Sequence, residues 1–94
     1  MRVEWLRKAL RNLDDEATFI ATDEVVAARQ VVKRVLDAVA QLAEQPGLGR
    51  PGRVPGTREL VVTGTRYIVP YRFGGATVEI LRVFHTSRRL PARW

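Results

Sequence analysis

The chain has no cysteine, one histidine and only two lysines among its 94 residues. Without cysteine there is no disulfide and no thiolate chemistry, and His85 alone cannot assemble a zinc site. No apolar run is long enough to cross a bilayer. The opening Met1-Arg2-Val3-Glu4-Trp5 has no apolar signal core, so a cytoplasmic protein that does not enter a membrane is expected. The glycine-rich connector from 46 to 57 lacks the Gly-Lys-Ser/Thr ending of a phosphate loop, which argues against nucleotide hydrolysis. Neither a metal nor a cofactor is expected.

Acidic residues are scarce in one half only. Residues 1 to 45 carry seven basic and eight acidic side chains; residues 46 to 94 carry nine basic and two acidic, and all nine are arginine. The net charge of +6 and the pI near 11.0 therefore belong to the carboxy-terminal half. Arginine presents a planar fork that suits phosphate, carboxylate and stacked bases, so a nucleic acid or an acidic protein is the implied partner. The plainer alternative is a soluble basic surface with no specific ligand.

What is present reads as one small domain over residues 1–94, with 90–94 as a disordered tail. Arg2-Val3-Glu4-Trp5 alternates as a short strand with Val3 and Trp5 on one face. Leu6, Ala9, Leu10, Leu13, Ala17, Ile20 and Ala21 then recur at helical spacing, and Trp5 is expected in the core. Asp23 offers an N-cap for a second helix, whose stripe is Val25, Ala28, Val32, Val35, Val39 and Leu42 and which ends near Gln45, before Pro46. The short connection implies an antiparallel hairpin. Val26, Ala27, Val31, Leu36, Ala38 and Ala40 widen the second stripe beyond one face. That surplus means either a central helix or one covered by a partner.

After the aperiodic connector, three strands follow in Leu60–Val62, Tyr67–Phe73 and Thr77–Phe84, joined by Thr63-Gly64-Thr65 and Gly74-Gly75. Pro70 removes a ladder donor from the middle strand, which calls for a bulge or an unpaired edge there. Alternation puts Val78, Ile80, Arg82 and Phe84 on one face of the last strand and Glu79, Leu81, Val83 and His85 on the other. Tyr67 and Tyr71 fit cross-strand packing better than base stacking. Asp14-Asp15-Glu16 fans around a helix and reads as solvated surface rather than a metal site.

The order strand, helix hairpin, Gly49-Arg50 connector and meander resembles the RelE/ParE superfamily of bacterial toxins from Val3 to Pro91. The resemblance is carried most specifically by Arg58-Glu59-Leu60-Val61-Val62, by Tyr67 to Arg72, and by Val78 to His85 with Arg88 close behind. It implies an α+β fold, a helix hairpin on a small, mainly antiparallel sheet (β-α-α-β-β-β). It also implies the toxin of a type II toxin–antitoxin module, held in a hetero-oligomer by its antitoxin. Members similar to ParE inhibit DNA gyrase and block replication; members similar to RelE cut mRNA on the ribosome. Arg58, Arg82 and His85 would be the nuclease set. However, Thr86 stands where one nuclease group has tyrosine, the connector has no Glu, and the lysines of the other group are absent.

The ParE-type reading is therefore preferred, with plasmid stabilisation and growth arrest as its expected consequences. It makes Arg58, Arg72, Arg82, His85, Arg88 and Arg89 the target-contact candidates, gathered on one surface. Val25, Ala28, Val32, Val35, Leu36 and Val39 are the antitoxin-contact candidates. A ribosome-dependent endoribonuclease is the runner-up, and a non-toxic nucleic-acid-binding module the third reading.

Overall fold

In a computed structural model describing residues 1–94, strand β1 (Arg2–Trp5) leads into helices α1 (Arg7–Asp23) and α2 (Val25–Ala40). A single 3₁₀ turn, Gln41–Ala43, ends the hairpin. Strands β2 (Arg50–Pro51), β3 (Arg58–Val61), β4 (Tyr67–Gly74), β5 (Thr77–Ile80) and β6 (Phe84–His85) complete one sheet. Its order is β1-β5-β4-β3-β2, with β6 also on β4. Only β1 runs parallel to its neighbour, pairing Val3 with Val78 and Trp5 with Ile80. The arrangement is the expected α+β one, a helix pair on a mixed, mostly antiparallel sheet.

One residue separates the helices. α1 continues through Asp23, so Glu24, not Asp23, takes the extended backbone of an N-cap, and its carboxylate accepts from the Val26 N–H at 3.1 Å. The wide apolar stripes then divide. Ala9 and Leu13 of α1 and Val35 and Val39 of α2 turn to the sheet, where they meet Leu60, Val62, Val69, Tyr71, Val78 and Ile80 in the core. Leu10, expected on the buried stripe, is exposed, and so are Val25 and Leu36. Glu16 departs in the other direction: it is buried rather than solvated.

The connector is less irregular than its composition implies. Arg50 and Pro51 pair with Glu59 and Arg58 as an edge strand. The buried Glu59 carboxylate accepts from the Arg53 N–H at 2.8 Å and from the Arg50 guanidinium at 3.2 Å. The Tyr71 hydroxyl accepts from the Gly49 N–H at 2.8 Å and donates to the Pro46 carbonyl at 2.7 Å, stitching the connector to the sheet. A β-carbon at Gly49 would lie 2.7 Å from the Tyr71 ring and hydroxyl and 2.8 Å from the Glu59 carbonyl. Gly49→Ala is expected to lower stability by about 1–3 kcal/mol, because backbone and a buried ring must both shift. Urea denaturation checks it; a midpoint unchanged from wild type would contradict the close approach.

Gly75, at φ 57°, makes the tight turn between β4 and β5. Beyond it the last predicted strand does not run unbroken to Phe84. Three residues lie between Ile80 and Phe84, but β4 spends only Val69 and Pro70 between their partners Tyr71 and Ile68. The extra residue is absorbed at Pro70, whose carbonyl accepts from both Leu81 (2.9 Å) and Arg82 (3.4 Å). A strand residue's N–H and C=O point to the same edge, so the bulge sits where proline lacks a donor. The bulge reverses the alternation. Val78 and Ile80 face the helices before it; Val83 and His85 do so after it. Arg82 and Phe84 therefore leave the face that simple alternation assigns them.

The opposite sheet face is not bare. Ile68, Pro70 and Leu81 are buried. The tail, expected to be disordered, returns across this side. Trp94 packs on Phe84 with ring centroids 5.4 Å apart, its Nε1 donates to Thr57 Oγ1, and its carbonyl accepts from Arg82 Nε at 2.8 Å.

Candidate functional surfaces

Three surfaces emerge from this packing. The first is apolar. Since the core takes only one side of each helix, Ala17 and Ala21 of α1 and Val25, Val32 and Leu36 of α2 line an outward groove of about 550 Å³. Val25 is 51% exposed and Leu36 44%, so both are free to be covered by another chain. Ala28 lines the groove as its nearly buried floor. Val35 and Val39 cannot be contacted from outside: they are 0% and 1% exposed, in the core. Of the six antitoxin-contact candidates the groove thus contains Val25, Ala28, Val32 and Leu36. Ala17 and Ala21, its α1 wall, belong to the apolar stripe of the first helix, where spacing does not separate the groove from the core.

The second surface is basic. Both acids of the carboxy-terminal half are taken, Glu59 by Arg50 and Glu79 by Arg72 at 2.6 Å. Arg53, Arg58, Arg66, Arg82, Arg89 and Arg93 make no ion pair. Arg58 donates to the Gly49 carbonyl at 2.7 Å and lies 5.9 Å from the centre of the Phe73 ring. Arg58, Arg72 and the half-exposed Phe73 line one shallow cleft.

The third surface is the His85 corner. His85 lies opposite Tyr67 in the β4–β6 pair, with the two rings edge to face at 5.2 Å. Its Nδ1 accepts from the Ser87 N–H at 3.1 Å and lies 2.6 Å from Ser87 Oγ. Beneath it the Tyr67 hydroxyl donates to Glu16 Oε1 at 2.9 Å, and Arg88 grips the other Glu16 oxygen. Burial, then the hydrogen bond to Glu16, pushes the Tyr67 phenol up to about 12. The same contact with Glu16 holds Arg88 above its ordinary value.

The raised Tyr67 value carries a pH signature. Folded Tyr67 keeps its proton to higher pH than the unfolded chain, so this contribution is complete below about pH 10 and is lost as pH rises towards 12. The expected loss is about 1–2 kcal/mol after allowance for solvent screening. Tyr67→Phe should flatten stability over that window in urea titrations at pH 9 to 11.5, and an equally steep variant would contradict it.

The target-contact candidates do not form one patch. Arg58 and Arg72 share the Phe73 cleft; His85 and Arg88 share the corner; Arg82 is held by the tail. Arg89 is exposed. Arg58 stands opposite Tyr71 and His85 opposite Tyr67, on opposite edges of β4. Four residues along a strand and two strand spacings across put their backbones roughly 16 Å apart. Arg58, Arg82 and His85 therefore do not converge on one phosphate. Phe73, Phe19 and Arg66 enter these surfaces without a sequence signal, since single exposed aromatics and turn arginines are common.

Residues 3–90 match the family model described as ParE toxin of type II toxin-antitoxin system, parDE. A curated relative, "Putative toxin Y4kP" of Sinorhizobium fredii (strain NBRC 101917 / NGR234), is 47% identical over 90 residues, covering 96% of this chain and 93% of its own. A solved structure, "Chromosomal ParDE TA system from P. aeruginosa", superposes with a TM-score of 0.80 at 30% identity, covering 90% of this chain and 95% of that one.

Proposed function

The chain belongs to the ParE toxin family of type II toxin–antitoxin systems, and from that premise we propose that it inhibits DNA gyrase in the cytoplasm and blocks replication until an antitoxin neutralises it. The observation that carries the gyrase reading over mRNA cleavage is the separation of Arg58 from His85 on opposite edges of β4. Cleavage needs a base, an acid and charge stabilisers around one phosphate. Binding a large target needs only accessible basic side chains, and the exposed Arg53, Arg66, Arg89 and Arg93, none of them in an ion pair, provide them.

The antitoxin covers the outer groove of the hairpin, with an amphipathic segment placing apolar side chains on Val25, Val32 and Leu36. Its acidic residues answer the arginines, and toxin and antitoxin form a hetero-oligomer. Arg58, Arg72, Arg89 and the His85–Arg88 corner remain as target contacts, whereas Arg82 is engaged by the Trp94 carbonyl.

The test uses purified chain with gyrase, plasmid and ATP, and in parallel with ribosomes translating an mRNA. The expected result is accumulation of cleaved gyrase–DNA complexes and intact mRNA. Codon-specific mRNA cuts with unaffected supercoiling would reverse the reading in favour of the endoribonuclease.

A further inference from the structure

The His85 corner opens onto a cleft of about 410 Å³ between the hairpin and the sheet edge. That volume is within the range of small-molecule sites, roughly 300–1,000 Å³. One wall is apolar: Phe19, Ile20 and Val31, with Phe19 67% exposed and so offering its ring to a ligand. The other wall carries Arg66, His85 and Arg88.

The hydrogen bonding on this wall leaves donors in surplus. No carboxylate lines the cleft, and Glu16, beneath Tyr67, has one oxygen on Tyr67 and the other on Arg88. Arg88 has five N–H donors and Glu16 engages it through one nitrogen. Arg66 has no side-chain partner in any hydrogen bond or ion pair, and is exposed. His85 completes the set. A backbone N–H can only donate, so the Ser87 N–H fixes His85 Nδ1 as an acceptor, and the neutral ring carries its proton on Nε2.

We propose that this cleft is a nucleotide-binding site, in which a phosphate is held by Arg66, Arg88 and His85 Nε2–H while the base packs on Phe19. Three donor groups match the three terminal oxygens of a phosphate monoester better than the two of a carboxylate. The exposed ring supplies the stacking platform that any base can use. Binding involves no covalent step. The inference goes beyond gyrase inhibition and is tested without gyrase, so either can fail alone.

Amide NMR titrations of the full ¹⁵N-labelled chain use thymidine monophosphate, thymidine, inorganic phosphate, and ten-residue oligothymidylates with and without a 5′-phosphate. The monophosphate is expected to give saturable shifts at Arg66, Tyr67 and Ser87, with thymidine at least tenfold weaker because the phosphate contacts are missing. Phe19→Ala should reduce monophosphate affinity to that of inorganic phosphate, and Arg66→Glu should remove both. Both side chains are exposed, so spectra elsewhere should stay unchanged and report an intact fold. Dependence of oligonucleotide binding on its 5′-phosphate identifies a strand end or free nucleotide as the source; equally tight binding without it would mean that an internal diester, with two terminal oxygens, is the ligand and would overturn the monoester assignment. Unsaturable shifts spread over all arginines, shifts confined to the Arg58–Phe73 cleft, or full affinity in Arg66→Glu would each overturn the proposal.

Discussion

Glu16→Ala is expected to lower the free energy of unfolding by about 3 kcal/mol and the melting temperature by roughly 10–20 °C. The Glu16 side chain is buried beneath the sheet edge, and its carboxylate accepts from Tyr67 and Arg88. Truncation leaves the Tyr67 hydroxyl buried with no acceptor, costing about 1–3 kcal/mol. The lost methylene packing and the small cavity add to that. Arg88, half exposed, turns to water and contributes little.

Tyr67→Phe alone should cost less, since Glu16 keeps its arginine. The double variant Glu16→Leu/Tyr67→Phe should recover much of the loss, because both polar groups disappear together. Chemical denaturation of wild type, Glu16→Leu, Tyr67→Phe and the double variant gives the cycle. A Glu16→Ala loss below about 1 kcal/mol would mean that the carboxylate is not an anchor.

Leu36→Asp is expected to separate toxicity from its control. Leu36 is part of the outer groove and not of the core, so the substitution should leave stability within about 0.5 kcal/mol. Buried under an antitoxin, an unpaired carboxylate should cost about 2–4 kcal/mol, a loss of affinity of roughly 30- to 1,000-fold. Cells carrying the variant with its antitoxin should then arrest where wild type is rescued. Titration calorimetry with the purified antitoxin gives the affinity itself. Val35→Asp is the contrasting control: it places the charge in the core and should abolish folding instead. Full neutralisation of Leu36→Asp would move the antitoxin off this groove.

The two expectations that fared worst at residue level share a cause. Helical spacing puts Val25, Val32, Val35 and Val39 on one stripe and Leu36 among the residues that widen it, and the helix has apolar residues on two faces. Only packing decides that Val35 and Val39 meet the sheet while Val25 and Leu36 remain outside. Glu16 looked like its neighbours Asp14 and Asp15, since a buried carboxylate differs from an exposed one only through its partners, and these come from 51 and 72 residues away.

Information carried by neighbouring residues was readable from the chain itself. Helix and strand periods, the Gly74-Gly75 turn, the proline stop after the hairpin and the concentration of arginine after residue 45 are local properties, and together with the motif order they specified the α+β fold and the toxin family. Tertiary structure alone decided the rest. Pro70 announces a disturbance, but only the count of residues facing it shows that one extra residue is absorbed there and that every later side chain changes sides. That reversal brings His85 to Tyr67 and sends Arg82 to the tail, so residues three apart in the sequence serve different surfaces. Strand geometry makes this unavoidable, because with a period of two a one-residue insertion turns every following residue to the opposite face.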